Sequence, residues 1–405
     1  MRGVACLLPA LLLAGGEPRP PVTPEAIRLG RIRSHMHDIL TRIPDYTCLQ
    51  TIERSRRSAK SRRFQLVDTI RLEVALVGGK EMFAWPGAGR FDDREIGRIV
   101  GGTIGNGNFA LHARAVFLGS SPAFEYEGEV DHPQGKAHRY RFQVSRQASG
   151  YTLRSGPLEG ITGYRGWFEA DTRTLDLIRL EIDANDIPEH LPIRAARDRM
   201  AYARVRIGER DFLLPKSSEL VVEDDHGTEN RNLTTFSGCR QYAGESVISF
   251  ADPDPAAAPA PTPEPVVPVQ LPDGLGLTVV FDETIRFQQA AIGDQIMGRV
   301  VENARWKGKT MVPRGAVVKG RLLGFKRYYG RVEFMRVAVT LTSVDFPGAH
   351  ADIDAQIEDI AGLPGWTRTA VDKQGIINIS GSRLELPRGL RMVWRIRSDI
   401  GKEIK

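Results

Sequence analysis

From Tyr46 to Phe250 the apolar residues recur at every second position, and that period confines the segment to strands with one dry face and one wet face. Ile70, Leu72, Val74 and Leu76 alternate with Thr69, Arg71, Glu73 and Ala75, and Tyr140, Phe142 and Val144 alternate with Arg139, Arg141 and Gln143. Ile178, Leu180 and Ile182 repeat the pattern, as do Ala203, Val205 and Ile207. One-sided alternation is the mark of a mostly antiparallel sheet. Gly78-Gly79, Asp171 to Thr174 and His226-Gly227 supply residues suited to the turns between strands. One helix precedes the series and a second interrupts it. Pro24 to Arg42 opens with Thr23 as N-cap and carries Ile27, Ile32, Met36, Ile39 and Leu40 at helical spacing; Asn108 to Leu118 is a shorter helix with Asn108 as its cap. The expected class is α+β with strands in the majority.

Asp252 to Pro268 is nearly all proline and alanine, with almost no large side chain to bury, so it reads as an extended linker. Beyond it Leu277 to Phe281, Gln295 to Val301, Ala316 to Phe325, Val332 to Leu341 and Met392 to Ile396 read as short strands, with turns at Gly293-Asp294, Pro313-Arg314-Gly315 and Pro347-Gly348. A small all-β barrel or sandwich is expected there. With 405 residues the chain has room for two domains, each able to bury its own core. The divisions are a signal peptide over 1–16, a sheet domain with helices over 17–250, a Pro/Ala-rich linker over 251–270 and a small all-β domain over 271–405.

The signal peptide is read from Met1 and Arg2, an apolar run from Val4 to Ala14, and Gly15-Gly16. That run is too short to cross a bilayer as a helix, and Cys6 lies inside it, so neither a transmembrane span in the mature chain nor a lipid anchor is expected. The expected location is the bacterial periplasm or outside the cell. Export leaves Cys48 and Cys239 in a compartment where disulfides persist, and these two are expected to pair. Closing that long loop would stabilise the fold by about 4 to 5 kcal/mol on the chain-entropy model. The net charge is +6, with basic residues read as spread along the chain and not gathered in runs, which argues against nucleic acid as a partner.

The glycine-rich run Gly101 to Gly107 sits in antiparallel surroundings, without the buried parallel strand that a dinucleotide loop needs, and reads as a connecting loop. Asp224-Asp225-His226 lies where a hairpin turn wants those residue types. His132, His138 and His190 have no partner at metal-ligand spacing, and the chain contains no zinc-protease HExxH, no GxSxG elbow and no P-loop. No catalytic residue, metal site or cofactor is assigned. The aromatic set Phe83, Trp85, Phe142, Trp167 and Phe168 is the candidate lining of an apolar ligand site, because a sheet with one apolar face must cover that face with helices or offer it to a guest.

The helix leading into Tyr46-Thr47-Cys48, the strand pair around Trp167-Phe168-Glu169-Ala170-Asp171 and Ile178-Arg179-Leu180, the segment Phe212-Leu213-Leu214-Pro215 and the closing strand before Phe250 together resemble the lipoprotein-carrier half-barrel family. The resemblance implies a curved antiparallel sheet whose concave face takes acyl chains or serves as a sensor surface. Val312 to Gly320, following Gly293-Asp294-Gln295-Ile296, is similar to the small β-barrel domains of type IV secretion core-complex components. The expected function is that of a non-enzymatic envelope binding protein, with a lipid, lipoprotein or other apolar ligand on the concave sheet and an envelope protein as partner. An assembly component that binds only proteins, and a hydrolase of envelope polymers, are the two rivals.

Overall fold

The computed structural model describes residues 23–88, 91, 100, 102–105, 107–133, 135–242, 267–329, 334–361, 376–380 and 385–397. The expected signal peptide and most of the expected linker lie outside them, as does the segment before Phe250. The chain is α+β and mostly antiparallel β, in two bodies.

The first body begins with helix α1 (Pro24–Arg42), where Thr23 caps the start by accepting a hydrogen bond from the Ala26 amide at 3.3 Å. There follow β1 (Tyr46–Arg57), β2 (Gln65–Val77), β3 (Lys80–Ala84), helix α2 (Leu111–Phe117), β4 (Ala123–His132) and β5 (Gly135–Val144). The small hairpin β6 (Thr152–Ser155) and β7 (Leu158–Ile161) precedes β8 (Gly163–Asp171), β9 (Leu177–Asn185), β10 (Ile193–Ile207), β11 (Arg210–Asp224) and β12 (Glu229–Gln241). All but β6 and β7 form one ten-stranded sheet in the order β3-β2-β1-β12-β11-β10-β9-β8-β5-β4. First and last strands of the domain therefore meet in the middle, β1 beside β12, and there Cys48 and Cys239 form the expected disulfide.

Local chemistry explains the turns. Gly78 and Gly79 both hold positive φ, +56° and +81°, which joins β2 to β3 in two residues and suits glycine at both places. Asp224 Oδ1 accepts from the amides of His226 and Thr228, so the Asp224-Asp225-His226 group is turn-making, as its residue types suggested.

The second body contains β13 (Val267–Pro268), β14 (Gly276–Phe281), β15 (Ile285–Arg286), β16 (Gln295–Val300), β17 (Ala304–Trp306), β18 (Lys309–Val312), β19 (Val317–Tyr328), β20 (Phe334–Phe346), β21 (Ala349–Ile360), β22 (Ile376–Ser380), β23 (Glu385–Leu386) and β24 (Arg391–Ile396). Of the two all-β forms expected it is the barrel: β21-β24-β14-β16-β19-β20 close on themselves through the β20–β21 pairing. Closure leaves these six strands without a free edge. Val267 and Pro268, at the end of the expected linker, pair in parallel with Ala349 and His350 on β21.

The barrel completes the edge of the sheet. β3 pairs with β2 only from Glu73 to Val77, which leaves the earlier part of β2 unpaired on that side. There the Ile292 amide donates to Thr69 O at 2.7 Å and the Arg71 amide donates to Ile292 O at 2.8 Å. Ile70, Leu72 and Val74 consequently belong to the same buried apolar cluster as Phe281, Phe287 and Ile292. A side-chain pair, Arg71 with Asp294, and Arg321 donating to Pro86 O at 3.0 Å reinforce the junction.

Candidate functional site

Three places deserve description as sites: the concave face of the sheet, the ionisable groups beneath α2, and the cleft beside the junction of the two bodies.

On the concave face, Tyr140, Phe142, Phe168, Leu180 and Ile182 form a buried layer, and the chain's own helices cover it. Helix α1 contributes Ile32, Met36 and Leu40, each spaced to fall on one helical face, and α2 contributes Ala113, Val116 and Phe117. Phe117 meets Phe168 edge-on at 5.0 Å between ring centres, and Tyr140 stacks on Phe168 at 5.3 Å. Between the end of α1, α2 and the sheet there remains a gap of about 10 Å³, lined by Leu40, Tyr46, Leu76, Phe109, Tyr202 and Leu213 among others. A gap of that size accommodates one water.

The aromatic set divides accordingly. Phe142 and Phe168 share the covered concave layer. Phe83 lies in the other buried cluster with β1 and β2, and Trp85 packs at the junction, where its ring lies 2.6 Å from the point a Cβ on Gly293 would occupy. Trp167 is on the outer face of the sheet, with the Arg139 guanidinium 4.7 Å above its ring.

Beneath α2 the sequence placed no chemistry, yet several ionisable groups meet there. The expected cap Asn108 does not cap the helix: its side chain donates to Ser218 Oγ at 2.8 Å. Glu81 of β3 takes the role, accepting from the amides of Gly107, Ala110 and Leu111 at 3.0, 2.9 and 3.3 Å. Burial raises its carboxyl pKa, while those three amides pull it back down. Asp198 of β10 is buried, with Oδ1 lacking a partner among the described residues, and burial followed by the nearby Glu81 charge pushes its pKa to about 7. His112 Nε2 lies 3.7 Å from Asp198 Oδ2, too far for a hydrogen bond, and burial lowers its pKa to about 4. Asp198 and His112 are buried and Glu81 half-buried, and Glu81 holds the start of α2 to the sheet.

The third place is a cleft of about 430 Å³ formed where the β1–β2 hairpin of the first body faces the end of β19 in the second. Arg56, Ser61 and Arg63 come from one wall and Lys326, Arg327 and Tyr329 from the other. The Tyr329 hydroxyl donates to Leu66 O at 2.9 Å and ties the walls together. Arg327 donates to Phe287 O at 2.7 Å, while its buried Nε has no partner among the described residues. Phe64 sits beneath the guanidinium groups of Arg57 and Arg231, at 4.5 and 4.2 Å from its ring centre. This place corrects the reading of the charge distribution. Arg54 to Arg63 holds six arginines and lysines in ten positions with no acid, and that run was the sequence signal. Lys326-Arg327 is too short a run to mark itself, and only the fold brings it alongside.

No protein-family model matches the chain, and no curated protein matches it. Among solved structures, the chain is similar to a DUF1329 family protein from Desulfovibrio piger, with a TM-score of 0.31, 12% identity and coverage of 54% of this chain and 95% of that one. It is also similar to a structure described as an outer membrane lipoprotein-sorting protein domain from Vibrio parahaemolyticus, with a TM-score of 0.29, 11% identity and coverage of 55% and 94%. Neither likeness carries a site residue over to this chain. No helix among the described residues is long and apolar enough to cross a membrane, and no group of three or more metal-ligating side chains occurs among them.

Proposed function

We propose that this chain is a non-enzymatic binding protein of the bacterial envelope that acts as an assembly component, through the surfaces of two joined bodies and not through a ligand held inside the sheet. The observation that carries this reading is the cover on the concave face. Ile32, Met36 and Leu40 occupy the place an acyl chain would need, and the remaining gap of about 10 Å³ is far below the several hundred Å³ of a small-molecule site. The apolar face is satisfied by the chain itself.

Two further observations support the reading. The Cys48–Cys239 disulfide suits an oxidising compartment, in keeping with the export expected from the first residues. The buried groups with displaced pKa values, Asp198 and His112, are shut away beneath α2, where no substrate reaches them, and this favours binding over hydrolysis.

A carrier role would require α1 to leave the sheet. Native mass spectrometry with lipid extraction, on protein purified from bacterial periplasm, separates the two. The assembly reading expects the bare mass of the chain under gentle conditions; an acyl species that is lost when the first body is deleted would overturn it.

A further inference from the structure

The outer surface of the sheet shows how this chain ordinarily treats its arginines. Arg139 is paired with Glu169, Arg199 with Glu181 and Arg197 with Asp183, each across neighbouring strands. The cleft between the bodies gathers basic side chains without such pairs. Arg56, Arg63 and Lys326 line it, and among the described residues they have no carboxylate partner and the lining holds no acid. Gathering like charges on facing walls is unfavourable, and two bodies would not bring them together without a compensating anion or a reason to accept the repulsion.

The rest of the lining fits an anion with oxygen acceptors. The Ser58 hydroxyl and the Tyr328 hydroxyl at the end of β19 line it as neutral donors beside the cations, and guanidinium groups bind phosphate oxygens in pairs. The volume, about 430 Å³, is that of a small-molecule site. The two walls come from segments far apart in the sequence, as the Tyr329 to Leu66 hydrogen bond, 263 positions apart, makes plain.

We infer that the cleft between the β1–β2 hairpin and the end of β19 is a binding site for a phosphate group, presented either by a soluble phosphate ester or by a phospholipid headgroup. Arg56 and Arg63 on one wall and Lys326 on the other hold its charge. This site is independent of the concave face, and it stands whether or not that face takes an acyl chain.

Isothermal titration of the full mature chain at low ionic strength tests it, with sodium pyrophosphate as one probe and vesicles of phosphatidylglycerol, against phosphatidylcholine, as the other. The expected result is saturable binding of one pyrophosphate per chain, weakened at least tenfold in the Arg56→Gln, Arg63→Gln, Lys326→Gln triple variant and weakened likewise by raising salt to 0.5 M. Binding to phosphatidylglycerol vesicles that pyrophosphate displaces assigns the phosphate to a headgroup; pyrophosphate binding without vesicle binding assigns it to a soluble ester. Should the triple variant fail to fold, Arg63→Gln alone, in an exposed hairpin loop, is expected to weaken binding at least threefold. Absence of binding by both probes, or binding that these substitutions leave unchanged, overturns the proposal.

Discussion

Asp198 and His112 face each other beneath α2 with pKa values displaced in opposite directions, and their effects on stability oppose each other as well. Asp198 moves from the ordinary 3.8 to about 7, so its contribution is full below about pH 4 and is lost as the pH rises through 7. His112 moves from 6.5 to about 4, so its contribution is full above pH 6.5 and is lost as the pH falls through 4. Between pH 4 and 6.5 the two slopes largely cancel. Thermal melts across pH are expected to expose each alone: Asp198→Asn loses stability as the pH falls from 6.5 to 4, and His112→Gln loses it as the pH rises from 4 to 7. Gly293 makes a second prediction at this scale. It holds φ of +102° with Arg71 O only 2.3 Å from where a Cβ would sit, so Gly293→Ala is expected to destabilise the chain by about 1–3 kcal/mol in denaturant titration. The disulfide was legible from the residues alone, because the expected export would leave two cysteines. The Asp198–His112 pair was not, since the two residues lie on different elements and nothing in their spacing announces that burial joins them.

Helix α1 is the element on which the reading of the concave face rests. Ile32 is fully buried between the helix and the sheet, and Ile32→Ala is expected to cost about 2–5 kcal/mol, measured by denaturant unfolding. The period-two alternation and the Thr23 cap made the strands and α1 readable, since both record which side of an element is dry. Whether the dry face of the sheet is filled by helices or left for a guest was not readable. The same apolar stripe on α1 serves a permanent cover and a movable one, and only its seating on Phe168 and its neighbours decides. The short helix α2 shows the same limit: its start was expected from Asn108, whereas the capping carboxylate is Glu81, from a strand 29 positions before Ala110. The aromatic set failed to stay together for a related reason. Alternation assigns Trp167 and Phe168 to opposite faces, but which faces gather around one space depends on the strand order across ten strands.

At the scale of the whole molecule, the barrel does what an added strand would do for the exposed part of β2. Ile292 pairs with Thr69 and Arg71, and the apolar cluster runs from β1 and β2 into the barrel without interruption. The Pro/Ala-rich tract was read as a linker between two domains, and that reading left open whether they share a core, because composition between two domains carries no information about their contact. One consequence is a single cooperative unfolding transition for the two bodies, which Gly293→Ala is expected to split in calorimetry. The concave face gives the more direct test. Native-state hydrogen exchange reads whether α1 is a fixed part of the core or a cover that opens. The account expects the amides from Leu29 to Leu40 to exchange only at the rate of global unfolding, in step with those of β8 and β9. Exchange of α1 through a separate, lower-energy opening, while β8 and β9 remain protected, would contradict it and return the sheet to the role of a carrier.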